Sequence, residues 1–167
     1  MQKIKQVTFC LCLTATFSCT YAQSHSDAVT EHQGEQHSEG YFEVIASIIN
    51  ANSFETDEGS VGNEFHLTYW FNHRFASGVS ITTKLEEEGL LYDTAIIGSW
   101  SPAKWMTTNV GPNFSWANPH REFGVSLYLE AEINFFVINE IHIGPVIGIL
   151  AGSENEWTHG FHLGFEF

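Results

Sequence analysis

The stretch Glu156-Trp-Thr-His-Gly-Phe-His-Leu-Gly-Phe-Glu-Phe167 alternates between two kinds of residue. Trp157, Phe161, Leu163, Phe165 and Phe167 share one parity, and Thr158, Gly160, His162, Gly164 and Glu166 share the other. A period of two is the period of a β-strand, whose successive side chains leave opposite faces of the pleat. The same texture recurs upstream. In residues 63–71, Phe65, Leu67, Tyr69 and Phe71 oppose Glu64, His66, Thr68 and Trp70. In 122–133, Phe123, Val125, Leu127, Leu129, Ala131 and Ile133 oppose Gly124, Ser126, Tyr128, Glu130 and Glu132. In 140–152, Ile141, Ile143, Ile147 and Ile149 oppose His142, Gly144 and Gly148, and 76–86 follows more loosely, with Val79, Ile81 and Leu85 against Gly78, Ser80, Thr82 and Lys84. Segments 41–51, 90–100 and 105–116 read as strands whose parity stays unassigned. No apolar stripe at helical spacing is sustained anywhere.

Glycine decides which parity faces inward. Gly78, Gly124, Gly144, Gly148, Gly160 and Gly164 all share the polar parity. The concave side of a narrow barrel is its crowded side, and an eight-strand bore is only just wide enough to be filled by side chains. The bulky apolar set therefore faces outward, which only lipid tolerates. Strands of about 9–11 tilted residues are long enough to cross a bilayer. The expectation is an all-β, eight-stranded, antiparallel up-and-down transmembrane β-barrel over residues 41–167. Outward loops would be 52–62, 86–89, 117–121 and 152–156, and inward turns 72–75, 101–104 and 134–139. Trp100, Trp105, Trp116 and Trp157 fall near strand ends, where an indole suits the membrane interface. Pro112 and Pro145 predict a bulge or local break, because a closed barrel has no edge strand to host them. His159 sits on the lipid parity and fits only near an interface.

The N-terminal part has a different texture. Residues 1–22 read as a secretory signal peptide, with Lys3 and Lys5, a short apolar run over 7–17, and Thr20-Tyr21-Ala22 for cleavage. All three cysteines (Cys10, Cys12, Cys19) lie in it, so the exported chain would have neither disulfides nor thiolate ligands. Residues 23–40 are rich in His, Glu, Gln and Ser and read as a disordered periplasmic arm. Six Lys+Arg against twenty Asp+Glu give a net charge of -14, which excludes a nucleic-acid binder working by phosphate neutralisation.

The final strand, with an aromatic at Phe167 and apolar Phe165, Leu163 and Phe161 at alternate positions before it, resembles the terminal signature of bacterial outer-membrane β-barrels. With the strand count, residues 41–167 resemble the small barrels of the OmpA/OmpX-like class. The resemblance implies a Gram-negative outer membrane as the location, with lipid and lipopolysaccharide as neighbours. It also implies recognition of the C-terminal strand by the barrel assembly machinery, and a periplasmic N-terminal arm and C-terminus. The expected loops are short, so adhesion through long loops is not carried over.

Chemistry would reside in two places. The arm carries His25, His32 and His37 among carboxylates, a loose divalent-metal binder at most, because the spacings match no fixed geometry. The bore would hold Glu64, His66, Lys84, Glu130, Glu132, His142, His162 and Glu166, with Lys84 the sole fixed cation among them. Ser99, Ser101, Ser115 and His120 lack a nucleophile-elbow setting, so no enzyme and no cofactor is expected beyond a loosely bound divalent metal. The expected function is a structural or interaction role in the outer membrane with divalent-cation binding. The alternatives are a narrow cation channel and a secreted soluble β-barrel that binds a small apolar ligand.

Overall fold

The computed structural model describes residues 40–56, 59–86, 89–119 and 121–167. The expected signal peptide, nearly all of the arm (His25, His32 and His37 included) and His120 lie outside them.

Nine strand segments follow in chain order: β1 Tyr41–Ser53, β2 Gly59–Trp70, β3 Phe75–Glu86, β4 Gly89–Ala103, β5 Met106–Ser115, β6 Gly124–Ile133, β7 Phe135–Ile138, β8 Ile141–Gly152 and β9 Glu156–Glu166. Each pairs antiparallel with its neighbours, β1 also pairs with β9, and β6 and β7 both pair with β8. The sheet is therefore closed, and β6 and β7 are two lengths of one stave interrupted at Asn134, leaving an eight-stave barrel. The seam between first and last strands is fastened by Phe42 N–H to Phe167 O (2.9 Å) and Phe167 N–H to Phe42 O (2.8 Å). A stave of 12 residues, as in β2, rises about 40 Å and covers roughly 30 Å when tilted near 40°, the thickness of a hydrocarbon core.

The two faces separate as the glycine parity implies. Along β2 every second residue is buried, with Glu64, His66, Thr68 and Trp70 inside and Phe65, Leu67 and Tyr69 outside, and Phe71 just after it is also exposed. Phe161 is 72 % exposed and Ile48 65 %, and the outer face is coated with such side chains all round. A soluble barrel would leave this coat in water, where contiguous apolar patches of that extent are not tolerated. Trp100 and Trp105 ring the end that carries the termini, and Trp116 and Trp157 the opposite, loop end, all on the outside. His159 faces out three residues into β9, its ring stacked on Trp157 (centroids 4.8 Å apart), opposite Asn50, which also faces out. The apolar band thus ends at this level, and the imidazole lies at its loop-end margin.

The inward glycines allow close strand approach. A Cβ on Gly160 would overlap the Ile48 carbonyl oxygen, and one on Gly144 that of Ile133. Both obstacles are backbone, so no rotamer change relieves them. Gly160→Val is expected to destabilise the barrel by about 1–3 kcal/mol, the range for overpacking, as read by urea titration of the folded band on unheated gels. Among the described residues Gly98 is the mid-strand glycine that faces outward.

Several expectations need correction. The loop drawn over 52–62 shrinks to 54–58, because Val61 and Gly62 already alternate out and in as part of β2. The turn drawn over 101–104 is mostly strand, since β4 runs to Ala103 with a register shift between Trp100 and Ala103. The turn drawn over 134–139 contains β7, paired to β8 with a shift between Phe136 and Ile138. At the prolines, where a bulge or a local break is the expectation, the ladder breaks locally without bulging. Opposite Pro112, pairing with β4 lapses between Ala95 and Gly98 and resumes in the same register. Opposite Pro145 the β6–β7 stave breaks, while on its other edge Asn134 N–H continues the register with β5 by donating to the Trp105 carbonyl (2.8 Å). Proline has no N–H to give, so a carbonyl of the partner strand loses its ladder donor there.

Candidate functional site in the bore

In an eight-stave barrel β2 and β6 stand on opposite walls. Glu64 and His66 from the first meet Tyr128, Glu130 and Glu132 from the second across the middle of the bore. Alternation places these residues on the inner face, and closure brings them together. Glu64 Oε1 accepts from Ser80 Oγ (2.9 Å), Thr82 Oγ1 (3.0 Å) and Tyr128 Oη (3.0 Å). His66 Nε2 lies 3.4 Å from Glu64 Oε1 and 3.8 Å from Glu130 Oε1, and its Nδ1 lies 3.5 Å from Glu132 Oε1. Asn109 Nδ2 donates to Glu130 Oε1 (3.0 Å) and Glu132 Oε1 (2.7 Å), while its own Oδ1 accepts from Ser99 Oγ (2.6 Å). Glu64, His66, Glu130 and Glu132 are all buried.

Toward the loop end, Lys84 is the hub of a second cluster. Its Nζ pairs with Asp93 (3.2 Å), Glu154 (3.2 Å) and Glu156 (2.8 Å). Arg121 folds in from the connection after β5 to meet Asp93 (2.9 Å) and Glu154 (2.8 Å). Lys84 is therefore not the sole fixed cation of the bore, and Glu154 and Glu156, from the expected outward loop 152–156, turn in to these two cations. Coulomb attraction in a poorly hydrated bore outweighs the tendency of a rim carboxylate to stay in water. Between this cluster and the central one lies a void of about 20 Å³, room for about one water, lined in part by Glu64, Thr82, Asp93 and Tyr128.

Toward the termini a third cluster forms around His142. Its Nε2 lies 2.9 Å from Glu43 Oε1 and its Nδ1 3.2 Å from His162 Nε2. Glu43 Oε2 also accepts from Trp70 Nε1 (2.8 Å) and Thr68 Oγ1 (3.1 Å). Glu166 lies beside Glu43 and His142, at a mouth cavity of about 470 Å³ that Tyr41, Trp70, Lys104 and Phe136 help to line.

The eight expected bore residues are thus distributed over three levels: Lys84 at the loop end, Glu64, His66, Glu130 and Glu132 in the middle, and His142, His162 and Glu166 toward the termini. Glu43, Asp93, Asn109 and Arg121 were missed. The first three lie on strands of unassigned parity, though Glu43 sits opposite Thr68 and Glu166 in register, a signal that strand pairing would have supplied. Arg121 lies in a loop, where no periodicity operates. Of the serines considered as nucleophiles, Ser99 donates to Asn109, and Ser101 donates to the Ala103 and Met106 carbonyls (3.0 and 3.1 Å). Ser115 lies 3.5 Å from Asn113 Nδ2.

No protein-family model matches the sequence, and no curated protein matches it. Solved structures match its backbone. The N-terminal β-barrel domain of Pseudomonas aeruginosa OprF superposes with a TM-score of 0.57 at 12% identity, covering 77% of this chain and 99% of that one. The fold is that of a small outer-membrane β-barrel. Ail, the attachment invasion locus protein of Yersinia pestis, gives a TM-score of 0.51 at 13% identity, covering 77% and 97% of the two chains. A barrel from the de novo design of transmembrane β-barrels gives 0.51 at 9% identity, covering 75% and 95%. With so little identity the likeness is one of backbone, and it leaves the bore chemistry to this chain's own residues.

Proposed function

We propose that this protein is an integral outer-membrane β-barrel of a Gram-negative bacterium, closed to bulk flow, with a structural or interaction role rather than an enzymatic one. The observation that carries this reading is an apolar coat around a bore that the Glu64–His66–Tyr128–Glu130 contacts span from wall to wall. Phe161, Leu163, Phe165 and Phe167 lie exposed on the outer face of the last stretch of chain. That placement supports their use as the signal read by the assembly machinery, with lipid and lipopolysaccharide as later neighbours. Short turns at one end and the Glu55, Glu86 and Glu154 connections at the other support termini in the periplasm. The surplus of bore carboxylates over Lys84 and Arg121 supports divalent cations as counter-ions. Ail has been solved with the heparin analogue sucrose octasulfate; the acidic loop end here argues against a polyanion as partner.

The protein is expected in the sarkosyl-insoluble membrane fraction, with a folded band that shifts on heating. Planar bilayers should show no stable conductance steps. A soluble monomer in plain buffer would overturn the membrane reading, and steady cation-selective steps would replace the closed barrel with the channel.

A further inference from the structure

The geometry points to one first-row divalent cation, best matched by Zn²⁺, held mid-bore by His66 Nε2 and carboxylate oxygens of Glu64 and Glu130, with Glu132 behind His66 Nδ1. This deepens the proposal above, resting on its reading of the bore as short of positive charge. Imidazole nitrogen with carboxylate oxygen is a donor set that first-row divalent ions accept.

Three observations carry it. The first is spacing. An imidazolium among carboxylates should draw them to about 2.7–2.9 Å, whereas the three pairs measure 3.4, 3.8 and 3.5 Å. Donors about 2.1 Å from a tetrahedral ion stand roughly 3.4 Å apart, close to the 3.4 and 3.8 Å separations from Nε2. The second is orphaned valence. Glu130 Oε2, on one of the proposed ligands, is buried without a hydrogen-bond partner, and the Glu130 side chain has no exposed surface. A buried carboxylate oxygen with nothing to accept is costly, and a cation removes that cost. The third is the support behind the donors. A metal-bound histidine usually gives its other N–H to a carboxylate, which orients the ring, and Glu132 stands on that side. Ser80, Thr82 and Tyr128 hold Glu64, and Asn109 holds Glu130. The Glu43–His142–Glu166 group nearer the termini also has ligand types within reach. It is the weaker candidate, because His142 Nε2 sits 2.9 Å from Glu43 Oε1, the spacing of a direct hydrogen bond, whereas His66 Nε2 stands 3.3 Å from Tyr128 Oη and 3.4 and 3.8 Å from its carboxylates.

The site is sealed, so the ion should enter as the barrel closes and exchange slowly afterwards. The test uses the protein purified from cells, its N-terminus read by mass spectrometry. It is unfolded in urea with chelator and refolded into detergent with one equivalent of Zn²⁺ or with none. The folded band is then stripped with EDTA, desalted and its metal counted. Because the arm could also bind, the same is done on the full chain with His25, His32 and His37 changed to Asn. One Zn²⁺ per folded chain should survive the strip with or without the arm histidines. His66→Gln should abolish retention, and Glu132→Gln should weaken it by about 10–100-fold, as for other partners of a ligand histidine. If H66Q does not fold, Co²⁺ in the arm-substituted chain decides, because a tetrahedral nitrogen–oxygen site gives intense visible bands and an octahedral one faint bands. A folded, heat-modifiable barrel that retains no metal, retention lost with the arm histidines but kept in H66Q, or an octahedral Co²⁺ spectrum would each overturn the inference and leave the membrane reading intact. Failure to fold in detergent or lipid at all would instead count against the membrane reading.

Discussion

Lys84→Met is expected to be among the most damaging single changes in this barrel, lowering its stability by about 3–5 kcal/mol, the range for deleting one partner of a buried ion pair. The Lys84 side chain is 2 % exposed and faces Asp93, Glu154 and Glu156 at 3.2, 3.2 and 2.8 Å. Methionine keeps the stem's packing and removes the charge, so the loss isolates electrostatics from volume. Arg121 then remains the nearby fixed cation for three carboxylates, and it reaches only Asp93 and Glu154. Adding Asp93→Asn should restore part of the loss, because the uncompensated buried charge, not a missing contact, is the defect. Urea titration in lipid vesicles, read by heat-modifiable mobility, measures both variants. A stability for K84M within about 0.5 kcal/mol of the parent, the ordinary span of surface substitutions, would show the cluster to be solvated and energetically idle.

The second large effect lies on the opposite face. Phe161 is mid-strand in β9 and 72 % exposed, so it points into the apolar band. Phe161→Arg should cost about 2–4 kcal/mol in lipid vesicles, the value for arginine near a bilayer midplane on a barrel's lipid face, whereas Phe161→Leu should cost far less. The direction discriminates sharply. On a soluble barrel an exposed phenylalanine replaced by arginine is neutral or helpful, since water solvates the guanidinium. Refolding pure protein into vesicles also separates this effect from any role of Phe161 in assembly inside the cell. Equal urea midpoints for the parent and F161R would remove lipid from the account.

These two expectations differ in how far the sequence alone supports them. Alternation and glycine parity alone put Phe161 on the outer face. Lys84 was placed in the bore the same way, but its partners were not. Asp93 lies on β4, where Leu90 and Leu91, then Ile96 and Ile97, put apolar residues on both faces and erase the period. In β1 the pairs Val44–Ile45 and Ile48–Ile49 do the same, and Glu43 was lost among them. The cause is visible in the bore. Ile45, Ile49 and Ile97 point inward and are 1–2 % exposed, and Ala95, Ile97, Tyr128 and Leu150 cluster together there. Part of the interior is oily, and wherever both faces of a stave are apolar the pattern has nothing to report.

What the sequence by itself determined is everything that depends on one strand at a time: a strand period, the side of the pleat that must be thin, and a coat that only lipid can cover. Each follows from neighbours two residues apart, a distance the covalent chain sets. What only the tertiary structure decided is which charges meet. His66 and Glu130 are separated by half of the barrel in sequence and stand on opposing walls, and Arg121 reaches the loop-end cluster from a loop without periodicity. Those meetings depend on closure and register, and alternation within one strand carries no information about the wall it will face.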